Sequence, residues 1–223
     1  MIPAVKEHLP GTHIMIVDDN SPDGTATLVK EMMKEDPGLF LIERSGKLGL
    51  GTAYLEAFRW ALEKDYQYLF EMDADFSHDP ADLPRLLQAC LDGNDLTIGS
   101  RYVSGVNVVN WPMKRIFISM GASIYVRMIT GIPVRDTTAG FVCYHRKVLE
   151  SLRLDKIKSK GYGFQIEMKF WAWKKGFRLK EIPIIFKDRT EGISKMSGGI
   201  FNEAFWSVIR IKYNSIFHKK EYL

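Results

Sequence analysis

The sequence has few cysteines and no cluster of cysteine and histidine. Its two cysteines, Cys90 and Cys143, are far apart and form no C-x-x-C pair, and its five histidines have no ligand spacing. These absences argue against a zinc site or a thiol redox motif. Nothing resembles a signal peptide either. We therefore expect two core thiols in a protein of the reducing cytoplasm.

Long hydrophobic runs are also absent. The best candidate, 116–132, is interrupted by Arg127 and is shorter than the roughly 20 residues that a spanning helix needs. Trp111, Lys114 and Arg115 precede it, and aromatic plus basic residues beside an apolar helix are typical of a membrane interface. A buried amphipathic helix is an equal alternative. Segments 111–132 and 200–217 are candidate interface helices, so we expect peripheral contact with the cytoplasmic membrane face.

Charge of one sign is not concentrated anywhere. The 31 basic and 27 acidic residues give a net charge of +4, and no block of lysine and arginine occurs. This pattern argues against a nucleic-acid partner and favours an anionic small molecule or a membrane surface. The length and the 46% hydrophobic content predict a single domain, 1–223, with a full core.

Apolar runs alternate with helical patterns over the first hundred residues. We predict strands at 13–17, 39–43, 66–72 and 96–99 and helices at 25–34, 51–63 and 81–91. Beyond Arg101 we predict helices at 116–130, 163–175 and 201–217 and strands at 139–144 and 178–186. The alternation predicts an α/β fold, a doubly wound and mainly parallel sheet flanked by helices, with ligands beyond the carboxyl ends of the strands.

Two aspartates, Asp73 and Asp75, directly follow the predicted strand 66–72. Residues two apart in a strand share a face, so both carboxylates can converge on one cation at the sheet edge. Carboxylate oxygens suit Mg²⁺ or Mn²⁺, and Mg²⁺ is usually shared with substrate phosphates. The pair therefore indicates a nucleotide-diphosphate substrate. Two solvated loop aspartates before a helix are the competing interpretation.

A second acidic turn ends the predicted strand 13–17. Ser21 or Asp23 can cap the following helix, but capping does not explain three aspartates. Carboxylates at a strand end can accept hydrogen bonds from a base or a ribose hydroxyl. Asp18 and Asp19 are therefore candidates for binding a nucleoside.

The glycine-rich segment 44–53 fits neither common phosphate motif. Tyr54 stands where G-x-G-x-x-G needs a third small residue, and Leu48 follows Lys47 where a P-loop needs Ser or Thr. What remains is a glycine loop that opens a helix near the acidic edge. Lys47 is a candidate contact for a phosphate or a base.

Arginines supply a cationic counterpart to this acidic edge. Arg101 ends the predicted strand 96–99, and Arg115 precedes the apolar helix. Arginine suits bidentate phosphate contacts, although a solvated charged face explains many such clusters. The glycine-flanked segment 187–195 can close over a ligand as a mobile loop.

Five motifs taken in order resemble the dolichyl- or polyprenol-phosphate mannosyltransferase family, which belongs to the family-2 glycosyltransferases of GT-A fold. They are V-D-D-N-S-P-D-G-T, G-K-L-G-L-G, M-D-A-D-F-S-H-D-P, G-S-R-Y and D-R-T-E-G-I-S-K-M. The resemblance implies distinct roles for the site residues. Asp73 and Asp75 would bind the metal, Asp18 and Asp19 the nucleoside, and Lys47 the donor region. Arg101 and Arg115 would bind the acceptor phosphate. Arg189, Ser194 and Lys195 would belong to the closing loop, and Glu167 would face the sugar pocket.

The sequence departs from the family pattern at two places. The family begins with a nucleotide-binding strand, whereas residues 1–3 here fit the middle of the following helix, so we expect that first strand to be absent. Ser77 also stands where the family usually has a glutamine after its acidic motif. Both departures bear on how this chain binds its donor and its metal.

The resemblance implies inverting transfer of a hexose, mannose from GDP-mannose, onto a dolichyl or polyprenyl monophosphate. A lipid monophosphate has its second pKa near roughly 6, so its oxygen needs no strong general base to attack a sugar carbon. Two alternatives stay open. One is a polyprenol-phosphate glucosyltransferase or another family-2 transferase. The other is a non-catalytic protein that binds a sugar nucleotide, because of the missing first strand.

Overall fold

The computed structural model describes residues 1–188 and 198–222, and of 198–202 it describes the backbone alone. Within these ranges the helices are α1 (Ile2–His8), α2 (Thr25–Met33), α3 (Leu50–Leu62), α4 (Leu83–Leu91), α5 (Met113–Thr130), α6 (Arg146–Ser151), α7 (Tyr162–Lys174), α8 (Gly198–Phe217) and α9 (Lys219–Tyr222). The strands are β1 (Ile14–Asp18), β2 (Leu39–Glu43), β3 (Tyr68–Glu71), β4 (Leu96–Ser100), β5 (Val108–Val109), β6 (Val142–His145), β7 (Leu179–Pro183) and β8 (Phe186–Lys187). The predicted α/β class is confirmed, and residues 1–3 do fall in a helix or its N-cap.

The strands form one four-stranded sheet and two separate pairs. Strands β1 and β2 pair in parallel, as do β5 and β8. The larger sheet has the order β3-β6-β4-β7, in which β4 and β7 are parallel while β6 is antiparallel to both its neighbours. The chain enters β6 from a long loop after α5 and not through a right-handed βαβ crossover, so β6 is not required to be parallel.

Most predicted strands differ from the structure in their bounds, and the difference at β3 affects the site. Strand β3 ends at Glu71, so Asp73 and Asp75 lie in the following loop and not on the strand. Phe76 in this loop has a φ of 61°, a left-handed conformation that turns the chain sharply. The predicted strand 178–186 is divided into β7 and β8, because β7 ends at Pro183.

The core lies between the four-stranded sheet and helices α3, α4 and α7. Helix α7 is buried on every side, and Phe164, Phe170 and Trp171 on it are at most 1% exposed. A helix that is buried on all sides has no solvent-exposed polar face, and that position explains its lack of amphipathic periodicity. Cys90 and Cys143 are both buried and reduced, as expected.

Candidate active site

A cavity of about 680 Å³ opens where β3 and β4 end, between the four-stranded sheet and helices α5, α7 and α8. Its wall includes the charged residues Asp73, Asp75, Arg101 and Arg115. Helices α5 and α8 add an apolar part to the wall, formed by Ile118, Ala122, Val126, Phe205 and Val208. Four residues predicted from sequence therefore share one cavity with an apolar wall.

The two aspartates of the cavity are held by the loop that contains them. Asp75 Oδ1 accepts hydrogen bonds from the backbone N–H of Ser77 at 3.0 Å and from its hydroxyl at 2.6 Å. The backbone N–H of Asp73 donates to His78 Nδ1 at 3.1 Å. Ser77, which stands where the family usually has a glutamine, thus orients the Asp75 carboxylate. The loop therefore fixes the Asp75 carboxylate and the Asp73 backbone beside the same cavity.

The oxygen donors of Asp73 and Asp75 fit a hard divalent cation. No group of three or more His, Cys, Asp or Glu side chains able to hold a metal occurs in residues 1–188 and 203–222. A cation here would therefore take its remaining ligands from water and from substrate phosphates, which is the usual manner in which Mg²⁺ is bound.

His78 is a buried and neutral part of this site. Burial, followed by the positive charge of Arg101, lowers the pKa of His78 to about 4. Because Nδ1 accepts the Asp73 N–H, the ring proton lies on Nε2. The ring also stacks on Phe141 with centroids 5.0 Å apart. His78 therefore holds the aspartate loop over the neutral pH range.

Arg101 is paired with Asp136, a residue that the sequence did not reveal. Arg101 donates from Nε and Nη2 to the two carboxylate oxygens of Asp136 at 2.7 and 2.6 Å, and from Nη2 to the Thr138 hydroxyl at 2.9 Å. Burial opposes the charge on Asp136, but Arg101 outweighs burial and lowers the pKa of Asp136. The charge of Arg101 is therefore largely balanced by a protein carboxylate.

Arg115 is closer to solvent than Arg101 and has different contacts. Its guanidinium lies 3.9 Å from the centre of the Trp111 ring, and its Nη1 donates to Asp188 at 2.8 Å. The Trp111 indole N–H is buried and has no hydrogen-bond partner among the described residues. Arg115 and Trp111 both line the cavity, so two N–H-bearing side chains lie in its wall.

The predicted nucleoside residues form a second group outside the lining of this cavity. Asp18 is buried and accepts the backbone N–H of Ser21 at 3.0 Å. Asp19 accepts from Arg44 Nε at 2.6 Å, which connects the end of β1 to the glycine loop. Lys47 on that loop is exposed. The structure therefore groups these residues at the carboxyl ends of β1 and β2, but not with the aspartates of the cavity.

Glu167 is not in the cavity wall, although the resemblance implied that it faces the sugar pocket. Its carboxylate accepts the backbone N–H groups of Lys158 and Ser159 at 3.3 and 3.1 Å. It thereby fixes the segment before α7, because two backbone donors are satisfied by one buried acid. Gln165, two residues earlier on α7, lines the cavity instead. Arg189, Ser194 and Lys195 lie outside the described residues.

The outer faces of α5 and α8 expose large apolar side chains. The two helices pack on each other through a stacked pair, Tyr125 and Phe205, with ring centroids 4.9 Å apart. No helix in the described part of the chain is long and apolar enough to cross a membrane. The exposed residues on these two helices are Met113, Phe117, Ile118, Ile124, Met128, Phe205, Trp206, Ile209, Tyr213, Ile216 and Phe217.

This fold and this site define a class of sugar-transferring protein. The sequence profile of glycosyl transferase family 2 matches residues 3–153, and the chain belongs to that family. It is 48% identical over 200 residues to a polyprenol monophosphomannose synthase of Mycolicibacterium smegmatis, covering 89% of this chain and 76% of the relative. It is 47% identical to an undecaprenyl-phosphate mannosyltransferase of Micrococcus luteus, covering 92% and 84%. The predicted family is confirmed.

The solved structures support the same fold. Glucosyl-3-phosphoglycerate synthase from Mycobacterium tuberculosis, in complex with Mn²⁺, UDP-glucose and phosphoglyceric acid, superposes with a TM-score of 0.64 at 14% identity. The match covers 89% of this chain and 68% of that one. A second crystal structure of this synthase, in complex with phosphoglyceric acid, gives a TM-score of 0.62 at 16% identity, covering 90% and 69%. The predicted GT-A type of fold is confirmed.

Proposed function

We propose that the chain transfers mannose from GDP-mannose to a polyprenyl monophosphate at a membrane surface. The observation that carries this proposal is a single cavity whose wall is both charged and apolar. A carboxylate pair, Arg101 and Arg115 line the same space as apolar side chains of α5 and α8. A lipid phosphate and a nucleotide sugar both have chemically suitable partners in this single space.

Different residues of the cavity suit different parts of the lipid acceptor. Arg115 and its partner Asp188 both line the cavity. The Arg115 guanidinium can donate a charge-assisted hydrogen bond to a phosphate oxygen. Arg101, which is paired with Asp136, lines the same cavity. The apolar side chains of α5 and α8 suit the first isoprene units of the lipid. Together they orient the acceptor phosphate toward the two aspartates.

The chemical step is a direct displacement. An oxygen of the lipid phosphate forms a bond to the anomeric carbon of the sugar, and the bond from that carbon to the nucleoside diphosphate breaks with the electron pair leaving on the diphosphate. The configuration at the anomeric carbon is inverted. The phosphate monoester is largely a dianion at neutral pH, so positioning and charge neutralisation carry the catalysis.

A divalent cation, Mg²⁺ or Mn²⁺, fits the donor set of Asp73 and Asp75. Bound there, it would neutralise charge on the departing diphosphate. Ser77 and His78 maintain the loop geometry on which both carboxylates depend. The structurally similar synthase was crystallised with Mn²⁺ and UDP-glucose, which supports a divalent ion here. Titration of EDTA-treated protein with Mg²⁺ and with Mn²⁺ will distinguish the two metals.

The exposed apolar faces of α5 and α8 support contact with a membrane. They border the apolar part of the cavity wall, so a polyprenyl chain can pass from lipid into the cavity without crossing water. Basic residues such as Lys114, Arg127 and Lys219 lie on or beside the same helices, and they favour an anionic surface. We propose the cytoplasmic face as the location of this contact.

A transfer assay tests the proposal. Purified protein is incubated with undecaprenyl phosphate in detergent, Mg²⁺ or Mn²⁺, and either GDP-mannose or UDP-glucose, and the lipid product is identified by mass spectrometry. We expect a mannosyl phospholipid from GDP-mannose, with inverted anomeric configuration by NMR. If only a glucosyl product formed, the donor would be UDP-glucose and not GDP-mannose. Nucleotide-sugar binding without any lipid product would favour the non-catalytic alternative.

A further inference from the structure

We infer that Gln165 determines specificity for the donor sugar, with its side-chain N–H donating to a hydroxyl oxygen of the hexose while Lys169 fixes the orientation of the amide. The inference rests on the proposed function and adds a residue that neither the motifs nor the resemblance indicated. Gln165 is 1% exposed and lines the cavity. Its Nε2 has no hydrogen-bond partner among the described residues.

Lys169 determines which way the Gln165 amide points. The two residues are one turn apart on α7 and therefore share a face. Lys169 Nζ donates to Gln165 Oε1 at 3.2 Å, to the Gln165 backbone carbonyl at 3.1 Å and to the Ala139 carbonyl at 2.6 Å. An ammonium group can donate but cannot accept, so Oε1 must face Lys169 and Nε2 must face away from it.

Gly140 lies beside the amide and has no side chain. A Cβ on Gly140 would lie 3.6 Å from Gln165 Nε2 and 3.9 Å from His78 Cε1. Gly140 and His78 both line the cavity. The amide therefore lies in the cavity wall, close to the ring that holds the aspartate loop. A buried donor without a partner is costly, and a bound ligand would remove that cost.

The Glu71 carboxyl also lies beside this amide but does not account for both of its hydrogens. Glu71 accepts from the Tyr144 hydroxyl at 3.1 Å on one oxygen, and its other oxygen has no partner among the described residues. Burial raises the pKa of Glu71 to about 8, against the influence of Lys169, Tyr144 and Gln165. An amide NH₂ carries two hydrogens, so one can face Glu71 while the other faces the cavity.

The chemistry of this donor favours a neutral oxygen. In the proposed function, the phosphates of both substrates have cationic partners in Arg115, Arg101 and a divalent ion. Gln165 instead offers an uncharged N–H group in the wall of the same cavity. A sugar hydroxyl is an acceptor of that kind. A site that hydrogen-bonds a hydroxyl discriminates strongly against a substrate that lacks it, because its buried donor is then left without a partner.

The test compares Gln165→Met with the unaltered protein on GDP-mannose and on donors lacking one hydroxyl at C2, C3, C4 or C6. We expect kcat/KM of the unaltered protein to be about tenfold lower for one of these deoxy donors than for GDP-mannose. For Gln165→Met, kcat/KM with GDP-mannose should already be about tenfold lower, and the same deoxy donor should lower it no further. Gln88→Met, which alters an exposed glutamine on α4, is the matched control and should retain full discrimination.

Two further variants examine the surroundings of the amide. Gly140→Ala adds a methyl group at ordinary contact distance, so the protein should fold while the approach to Nε2 narrows and discrimination falls. Lys169→Met should lower the same discrimination because the amide can then rotate. Full discrimination in folded Lys169→Met would overturn the positioning role. If that variant does not fold, Gln165→Met and Gly140→Ala decide the inference.

Binding measurements separate this inference from the proposed function. Calorimetry should show that Gln165→Met binds GDP-mannose more weakly than the unaltered protein but binds GDP equally well, whether or not lipid transfer occurs. Discrimination that persists in Gln165→Met would overturn the inference. A change confined to the KM for undecaprenyl phosphate would also overturn it, because the acceptor of the N–H would then be a phosphate oxygen.

Discussion

The guanidinium of Arg101 and the carboxylate of Asp136 form a buried ion pair beside the cavity, with bonds of 2.7 and 2.6 Å. Asp136 also accepts the backbone N–H of Arg101 at 2.9 Å. One carboxylate therefore satisfies both the backbone and the side chain at the end of β4. This relationship makes Arg101 a structural residue as well as a source of positive charge.

Removing one partner of this pair should destabilise the fold. Asp136→Ala leaves a buried guanidinium without its counter-charge, and we expect a loss of about 3 to 5 kcal/mol in the free energy of unfolding by urea denaturation. The control is Asp155→Ala, which breaks the exposed Arg153–Asp155 pair and should leave the urea midpoint almost unchanged. Equal unfolding midpoints for the two variants would contradict the structural role.

Asp75→Asn should abolish metal-dependent transfer while the fold is retained. The amide keeps an oxygen for the Ser77 hydrogen bonds but loses the charge that attracts a divalent cation. We expect activity to fall by orders of magnitude in EDTA-treated protein titrated with Mg²⁺ or Mn²⁺. Asp155→Asn serves as the exposed control. Full activity of Asp75→Asn over the same titration would disprove the metal assignment.

The sequence predicted that Asp73, Asp75 and Arg101 lie close together, because the carboxyl ends of strands in one sheet can share an edge; Arg115, on α5, lines the same cavity. It did not predict Asp136, which is 35 residues from Arg101 and reaches it through the packing of a loop after α5. Local patterns record periodicity and turn chemistry, but they do not record which loops meet. The antiparallel direction of β6 was missed for the same reason.

Gln165 shows a different limit of sequence reasoning. Helix α7 is buried on all sides, so no polar face separates the residues that line a cavity from those that pack in the core. The resemblance implied that Glu167 faces the sugar pocket, whereas its carboxylate accepts the backbone N–H groups of Lys158 and Ser159. Only the three-dimensional positions of Lys169 and Gly140 show which side chain of this helix faces the cavity.

Arg115→Ala should impair use of the lipid acceptor more than binding of the donor. Loss of a charge-assisted phosphate contact costs about 1.5 to 3 kcal/mol, which corresponds to a rise of roughly ten- to a hundredfold in the acceptor KM. Steady-state kinetics with each substrate varied will measure this. Arg101→Ala should act in the same direction, with its folding checked because of Asp136. A raised donor KM with an unchanged acceptor KM would place the acceptor phosphate elsewhere.

Charges introduced on the outer faces of α5 and α8 should weaken membrane binding. Phe117 and Trp206 are 66% and 61% exposed, and burying such a side chain in lipid is worth about 1.5 to 3 kcal/mol. We expect Phe117→Glu and Trp206→Glu each to reduce flotation with phosphatidylglycerol-containing vesicles by tenfold or more. The matched control is Leu28→Glu on α2, where the leucine is 64% exposed, and it should float normally. Equal flotation of all variants would disprove this contact surface.

The buried Glu71 should make stability depend on pH in a specific window. Its pKa is raised from 4.5 to about 8, mainly by burial, so between these values the folded chain holds a proton that the unfolded chain has released. The contribution of Glu71 to stability is therefore complete below pH 4.5 and declines as the pH rises toward 8. Glu71→Gln removes this decline, while its amide oxygen can still accept from Tyr144. Urea midpoints at pH 5, 6.5 and 8 should show Glu71→Gln gaining on the unaltered protein as pH rises, whereas the exposed Glu63→Gln should follow the unaltered protein. Parallel curves for all three would mean that Glu71 is ionised in the folded chain throughout this range.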